Sequence, residues 1–315
     1  MLHLRLIVPH ELTGPVLERL GATPGVAHIV QGSGSATRPE GDFVLCDVAR
    51  EAANEVVEWL QTQGVHRRGA ITVEAVEAVV SDAAAAAETL APGHGADALV
   101  WEELESRVRV EAVLTVSFLA FMAVAAVIAA VGILLDSPIL VIGAMVVGPE
   151  YGPLAALCVA VVRRRQQRAG VAAVTLSSGL AAAAAAALVA TIAFRLTGLA
   201  PQAYELGDRE LTAFISHPDG MAVVVAVLAG IVGMLSLTEA RSGALVGVLV
   251  SVTTIPAASN VGVATAYREW NEVGGAALQL CLNVAALVVA GVATLAIQAR
   301  VTTQTQHAPV GGRPA

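Results

Sequence analysis

The stretch "GAMVVGPEYGPLAALCVAVVRRR", residues 143–165, decides the fold of this chain. It is apolar over a length that can cross a bilayer, for which about 20 residues suffice. Near its middle, however, Glu150 stands between Pro149 and Pro153. A proline removes a backbone donor and interrupts a helix, and backbone groups freed inside a bilayer must face protein or water rather than lipid. The stretch therefore predicts a broken membrane helix with an acid at the break.

The composition of the whole chain is that of a membrane protein. Of 315 residues, 56% are hydrophobic and 14% are charged, whereas soluble domains average about 25% charged residues. The net charge of −8, without a basic stripe, argues against a nucleic-acid partner. The apolar segments hold no Ser–His pair, HExxH motif or paired aspartates, and the three cysteines lack metal-ligand spacing. We therefore expect no enzyme activity, no cofactor and no bound metal.

Six apolar runs predict six membrane helices. Each is near the length that a helix needs to cross the hydrocarbon, and six runs in succession argue against the alternative of core helices in a soluble protein. The predicted spans are 111–135, 139–162, 171–196, 219–237, 244–266 and 276–297. The arginine-rich "RRRQQR" (163–168) joins the second span to the third, and such loops lie in the cytoplasm. This predicts a multi-pass protein of the cytoplasmic (inner) membrane, in contact with the lipid bilayer, with both termini cytoplasmic.

Residues 1–80 predict a small soluble domain of the α+β class. Strand patterns occur at 2–8, 25–33, 41–49 and 70–76, and helix patterns occur at 10–22 and 50–64. The order β-α-β-β-α-β is that of the ferredoxin-like, or split βαβ, arrangement. We predict a linker and an amphipathic lead-in helix at 81–110, a transmembrane domain at 111–300 and a disordered tail at 301–315.

The membrane region contains signs of an internal repeat. "ALVATIAF" (187–194) recurs as "AGVATLAI" (290–297), and the proline break at "GPEYGP" has a counterpart at "TTIPAASN" (253–260). With six spans, the two triplets of helices would have opposite orientation. Inverted repeats with interrupted helices at matching positions indicate a transporter-like site, although two ordinary proline kinks would leave the same pattern.

Glu150 is the centre of the predicted site. A charged side chain at mid-bilayer costs about 2.5–3.5 kcal/mol, so it should face the bundle interior or a polar cavity. The carboxyl could be protonated and structural, could bind a cation, or could accept hydrogen bonds from the half-helix that follows. The predicted ligand- or ion-binding residues near the membrane midplane are Pro149, Glu150, Tyr151, Pro153, Thr253, Thr254, Pro256, Ser259, Asn260 and Asn283.

Two motifs resemble known families. "IGAMVVGPEYGPLAA" together with "EARSGALVGVLVSVTTIP" resembles the domain of unknown function 389 family, which implies a bacterial or archaeal membrane protein of unassigned function. The first domain resembles ligand-sensing modules of the ACT type in its element order and in "VPHELTG" (8–14). That resemblance implies a cytosolic ligand loop, with a dimerising scaffold as the alternative. The loop residues are Pro9, His10, Glu11, Thr13 and Gly14.

These patterns favour two functions. The first is a transporter or channel-like protein for a small polar solute or ion, regulated by the cytosolic domain. The second is a membrane-anchored receptor for a nucleotide or amino acid, without transport. In either case the soluble domain and the small-residue helices predict self-association, and we expect a homodimer.

Overall fold

The computed structural model describes residues 1–76, 78–91, 99–201, 211–212, 215, 220–238 and 254–306. The chain divides into two compact units. The first is Met1–Ser106 together with Ile297–Ala315, and the second is Arg107–Ala296.

The N-terminal unit is built on a four-stranded antiparallel sheet. Its elements are β1 (Leu2–Val8), α1 (His10–Ala22), β2 (Val26–Thr37), β3 (Glu40–Val48), α2 (Arg50–Thr62), α3 (Val65–Arg68), β4 (Ala70–Ala75) and α4 (Asp82–Leu90). The strand order is β2-β3-β1-β4, and each neighbouring pair is antiparallel. The predicted α+β class and element order are therefore confirmed, with the short α3 added before β4.

The alternation of apolar residues in β1 explains which face of the sheet is buried. Four β1 side chains have no exposed surface: Leu2, Leu4, Leu6 and Val8. Helix α2 covers the same core with Val56, Val57 and Leu60. It ends at Thr62 rather than continuing to 64, because Gly64 adopts a left-handed conformation (φ 77°) and is the N-cap residue of α3.

The second unit is helical. Its elements are α5 (Trp101–Glu111, which starts in the first unit), α6 (Val116–Leu134), α7 (Pro138–Val147), α8 (Tyr151–Val162), α9 (Gln166–Thr197), α10 (Gly220–Thr238), α11 (Thr254–Tyr267) and α12 (Trp270–Gln306, whose end lies in the first unit). Within the described residues, α6, α9, α10 and α12 are long and apolar enough to span a membrane. The bent pair α7–α8 makes a fifth candidate span. Much of the predicted span 244–266 lies outside the described residues, and α12 extends into the predicted tail.

Small residues bring these helices close together. Gly179 of α9 lies under Phe118 and Met122 of α6, and a Cβ at Gly262 of α11 would lie 2.7 Å from the Leu188 backbone nitrogen. Close approach through glycine and alanine is the usual packing mode of membrane helices. The interface of α6, α9 and α11 therefore depends on glycine at these two positions.

The helix positions recur along the chain at a nearly constant interval. Helices α9 and α12 begin 104 residues apart, at 166 and 270. The described parts of α10 and α11, 220–238 and 254–267, lie at about the same interval from α6 and α8.

One packing contact recurs at the same interval. In one half, Gly262 of α11 lies against the backbone of Ala184 in α9. The residues 104 positions from these two are Cys158 of α8 and Val288 of α12, and the Cys158 thiol points to the Val288 carbonyl oxygen at 3.8 Å. Helix α8 therefore packs against α12 in one half of the unit in the same way as α11 packs against α9 in the other half.

Candidate functional site

The predicted helix break is present between α7 and α8. Helix α7 ends at Val147, α8 begins at Tyr151, and the two axes are bent by 55°. Gly148 has extended backbone angles (φ −73°, ψ 133°), and Pro149 follows it without a backbone donor. The first turn of α8 starts with Leu154 N–H donating to the Glu150 carbonyl at 3.3 Å. The break therefore holds Glu150 at the N-cap position of α8.

The Glu150 side chain is buried, and only one of its two carboxyl oxygens has a hydrogen-bond partner among the described residues. It is 3% exposed, and the Thr254 hydroxyl of α11 donates to its Oε1 at 2.8 Å. Its Oε2 has no hydrogen-bond partner among the described residues. Buried polar atoms are normally paired, and a buried carboxylate without a counter-charge is costly. The break thus presents one acceptor oxygen with capacity for a proton or a cation.

Gly148 makes room for this carboxylate. A Cβ at position 148 would lie 2.5 Å from Glu150 Oε2 and would overlap the side chain of Ile255. Only glycine allows both groups to approach the backbone here. The break is therefore shaped by three residues of α7–α8 and α11 rather than by the prolines alone.

Gly148→Ala is expected to displace the Glu150 carboxylate or Ile255 and to destabilise the protein by about 1–3 kcal/mol, as overpacking in a core does. The measurement is thermal unfolding of the purified full-length protein in detergent. Gly143→Ala is the matched control, because a Cβ there meets no atom within 4 Å. Equal melting temperatures for the two variants would show that the carboxylate does not depend on Gly148.

A cavity of about 400 Å³ lies beside the break, within the range of about 300–1,000 Å³ typical of ligand pockets. Its lining is mainly apolar and consists of Val110, Glu111, Val113, Thr115, Phe118, Gly148, Pro149, Tyr151, Gly152 and Leu237. These residues place it at the first turn of α6 and the last described turn of α10. The location of Glu150 at the membrane midplane stays a prediction.

Glu111 is a cavity residue that the sequence interpretation did not single out. A Cβ at Gly152 would lie 2.6 Å from Glu111 Cβ and 2.9 Å from its Oε2, so the acid lies directly on the first turn of α8. The signal in the sequence was an acid at the end of the lead-in helix, directly before the first apolar run.

The other predicted membrane residues are spread around the break. Pro149 and Tyr151 line the cavity, and Pro153 and Pro256 are buried in the first turns of α8 and α11. Thr253 lies outside the described residues.

Two further predicted residues follow Thr254 on α11. Ser259 and Asn260 are buried, and each has an oxygen without a partner among the described residues. They follow Thr254 by five and six positions, at about 100° per residue, and therefore lie on other faces of the helix. Asn283 accepts a hydrogen bond from Gln279 at 3.2 Å. Within the described residues, the structure thus brings Glu150 together with Thr254.

The predicted cytosolic loop is engaged within its own unit. His10 Nδ1 lies 2.8 Å from Asp42, and Glu11 pairs with Arg68. The Thr13 hydroxyl lies 3.4 Å from the Pro9 carbonyl oxygen. The Gly34 backbone N–H, followed by Thr13 and His10, holds the pKa of Asp42 below its usual range. Pro9 is the N-cap residue of α1, and Gly14 lies within that helix. A ligand role for the loop stays a prediction.

A second polar cluster in this unit joins three strands to α4. Asp47 lies 2.7 Å from His3 Nδ1 and 2.6 Å from His28 Nδ1, and His28 Nε2 lies 2.7 Å from the Ser81 hydroxyl. His28 stands at a register shift of β2 with a positive φ of 51°, which is costly for a residue other than glycine. Partial burial raises the pKa of Asp47, but its hydrogen bonds with His28 and His3 hold it below the ordinary value. The cluster clamps the N-terminus of α4 to the sheet.

Comparison with known proteins agrees with the motif resemblance. Residues 145–289 match the family model described as Domain of unknown function (DUF389). No curated protein and no solved structure matched the chain. The matched region runs from α7 to α12 and contains the break, Glu150 and Thr254. The chain is therefore a membrane protein that carries a DUF389 domain at residues 145–289.

Proposed function

We propose that this protein is a transporter or channel-like protein for a small cation, which binds at Glu150 in the break between α7 and α8. The observation that carries the proposal is the buried Glu150 carboxyl, whose Oε2 has no partner among the described residues. An ionised carboxylate only accepts hydrogen bonds, so its free oxygen suits a hydrogen-bond donor, a proton or a cation, and its charge favours the cation. Ionisable residues inside membrane segments commonly mark substrate or ion pathways.

The architecture supports transport through a pair of inverted repeats. Helices α6 and α10 are equivalent by the interval of 104 residues, and the first turn of α6 and the C-terminal part of the described α10 line the same cavity. If two equivalent helices place opposite ends beside the same cavity, the two helices run in opposite directions. This is the relation of the inverted repeats in many transporters, whose sites lie at the repeat interface between interrupted helices.

The position of Glu150 supports a site on the two-fold axis that would relate the two repeats. Glu150 and Thr254 are 104 residues apart, the same interval that relates the helices, and they are hydrogen-bonded to each other. In a two-fold arrangement, a residue that contacts its own equivalent lies beside the axis. The Glu150–Thr254 pair thus lies where both repeats contribute a residue to the site. Motion of one repeat against the other would expose this pair to alternate sides of the membrane.

The membrane topology and the regulatory domain complete the proposal. The arginines at 163–165, between α8 and α9, favour a cytoplasmic location for that turn. This orientation places both termini and the ferredoxin-like domain in the cytoplasm, where the domain can bias the membrane part on binding a ligand. A homodimer is our expectation for the assembly.

The proposal is tested by cation flux in liposomes that contain the purified full-length protein. Separate gradients of Na⁺, K⁺ and H⁺ distinguish a metal ion from a proton, and protein-free liposomes are the control. We expect flux of one of these cations that depends on the protein. Lack of flux under all three gradients, combined with ligand-induced thermal stabilisation, would favour the receptor function instead.

A further inference from the structure

Part of the cavity lining has buried equivalents in the other repeat. Five cavity-lining residues have described equivalents 104 positions away: Glu111, Phe118, Tyr151, Gly152 and Leu237. Three of the equivalents are isoleucines, Ile215, Ile255 and Ile133, and the other two are Ala222 and Pro256. The three isoleucines are at most 1% exposed and belong to one buried apolar cluster. At these three positions, one repeat borders a cavity and the other presents packed isoleucine side chains.

An acid holds one of these isoleucines in place. Asp136, in the turn between α6 and α7, accepts hydrogen bonds from the Thr212 N–H and hydroxyl at 2.8 Å each and from the Leu211 N–H at 3.1 Å. The Ile215 N–H in turn donates to the Thr212 carbonyl at 3.1 Å. Thr212 is 2% exposed. Hydrogen bonds to a charged group are stronger than neutral ones, so Asp136 fastens Thr212, and with it Ile215, to the α6–α7 turn.

We infer that the Glu150–Thr254 site has a second entrance, closed here by Ile133, Ile215 and Ile255, and that Asp136 is the latch that keeps it closed. This inference rests on the proposed function, since it concerns access to the same site. Inverted repeats exchange their conformations when a transporter changes state. Opening the isoleucine side is therefore coupled to closing the cavity at Glu111, and breaking the latch shifts the population toward the other state.

The test measures the reactivity of single cysteines in purified full-length protein whose Cys46, Cys158 and Cys281 are replaced. Ile133→Cys reports the closed side, and Val113→Cys reports the cavity, where Val113 is 50% exposed. With Asp136 present, we expect slow maleimide labelling at position 133 and fast labelling at 113. Adding Asp136→Ala should accelerate labelling at 133 by about tenfold or more, as the loss of a charge-assisted hydrogen bond allows, and should slow it at 113.

Two conservative changes keep the test decisive if Asp136→Ala fails to fold. Thr212→Val removes one hydrogen bond to Asp136 and should move both rates in the same directions by a smaller factor, whereas Thr212→Ser should leave both unchanged. Faster labelling at 133 with an unchanged rate at 113 would show local loosening and overturn the coupled gate. Unchanged rates at both positions in Asp136→Ala and Thr212→Val would also overturn it. Reciprocal labelling without cation flux would instead retain the gate and reject the proposed function.

Discussion

Glu150→Gln is expected to lower cation flux through the reconstituted protein by roughly 100-fold or more. Placing a charge at the centre of a membrane helix costs about 2.5–3.5 kcal/mol, and about 1.4 kcal/mol corresponds to a factor of ten. A bound cation offsets that cost only if the carboxylate is present. The amide oxygen of glutamine can still accept the hydrogen bond that Thr254 donates at 2.8 Å, so the contact between the break and α11 is retained.

Two controls separate the site from its surroundings. Glu111→Gln removes the acid that lines the cavity and should change flux only several-fold, because a charge at a cavity mainly raises the local cation concentration. Thr254→Val removes the hydroxyl but keeps the carboxylate, and should give an intermediate loss. Flux by Glu150→Gln equal to that of the unaltered protein, with both proteins folded, would remove Glu150 from the pathway and leave it a structural, protonated acid.

The elements of the N-terminal unit could be predicted because local patterns determine them. The period-two alternation at 2–8 gives β1 at Leu2–Val8, and the helical pattern at 10–22 gives α1 at His10–Ala22. The prediction was less accurate at β2, which extends to Thr37 because it continues to pair with β3 around the hairpin. That extension depends on the partner strand, which a local pattern does not contain.

In the membrane region, the helices could be predicted more readily than the contacts between them. Apolar length located α6 and α10, and the two prolines located the break between α7 and α8. The approach of Glu111 to Gly152, and of Glu150 to Gly148, depends on tertiary packing. So does the capture of Thr212 by Asp136, which joins residues 76 positions apart. A single sequence gives no direct measure of which small residue faces which acid.

A second large effect is expected when the two residues on the axis, Glu150 and Thr254, are exchanged. Glu150→Thr alone removes the carboxylate, and Thr254→Glu alone places a second acid against the first. Each single variant should lose most of the flux. The first lacks the acid, and the second places two acids at close distance, which opposes their joint ionisation.

The double variant Glu150→Thr/Thr254→Glu should recover flux to within about tenfold of the unaltered protein. The reason is that the two positions are equivalent and in contact, so the carboxylate changes repeats but stays beside the axis. Flux of all variants is measured under the same cation gradient, with protein-free liposomes as the baseline. Recovery in the double variant would place the binding site on the axis between the repeats. If the double variant remains as inactive as the single variants while still folded, the two positions are not interchangeable, and the symmetric site must be rejected.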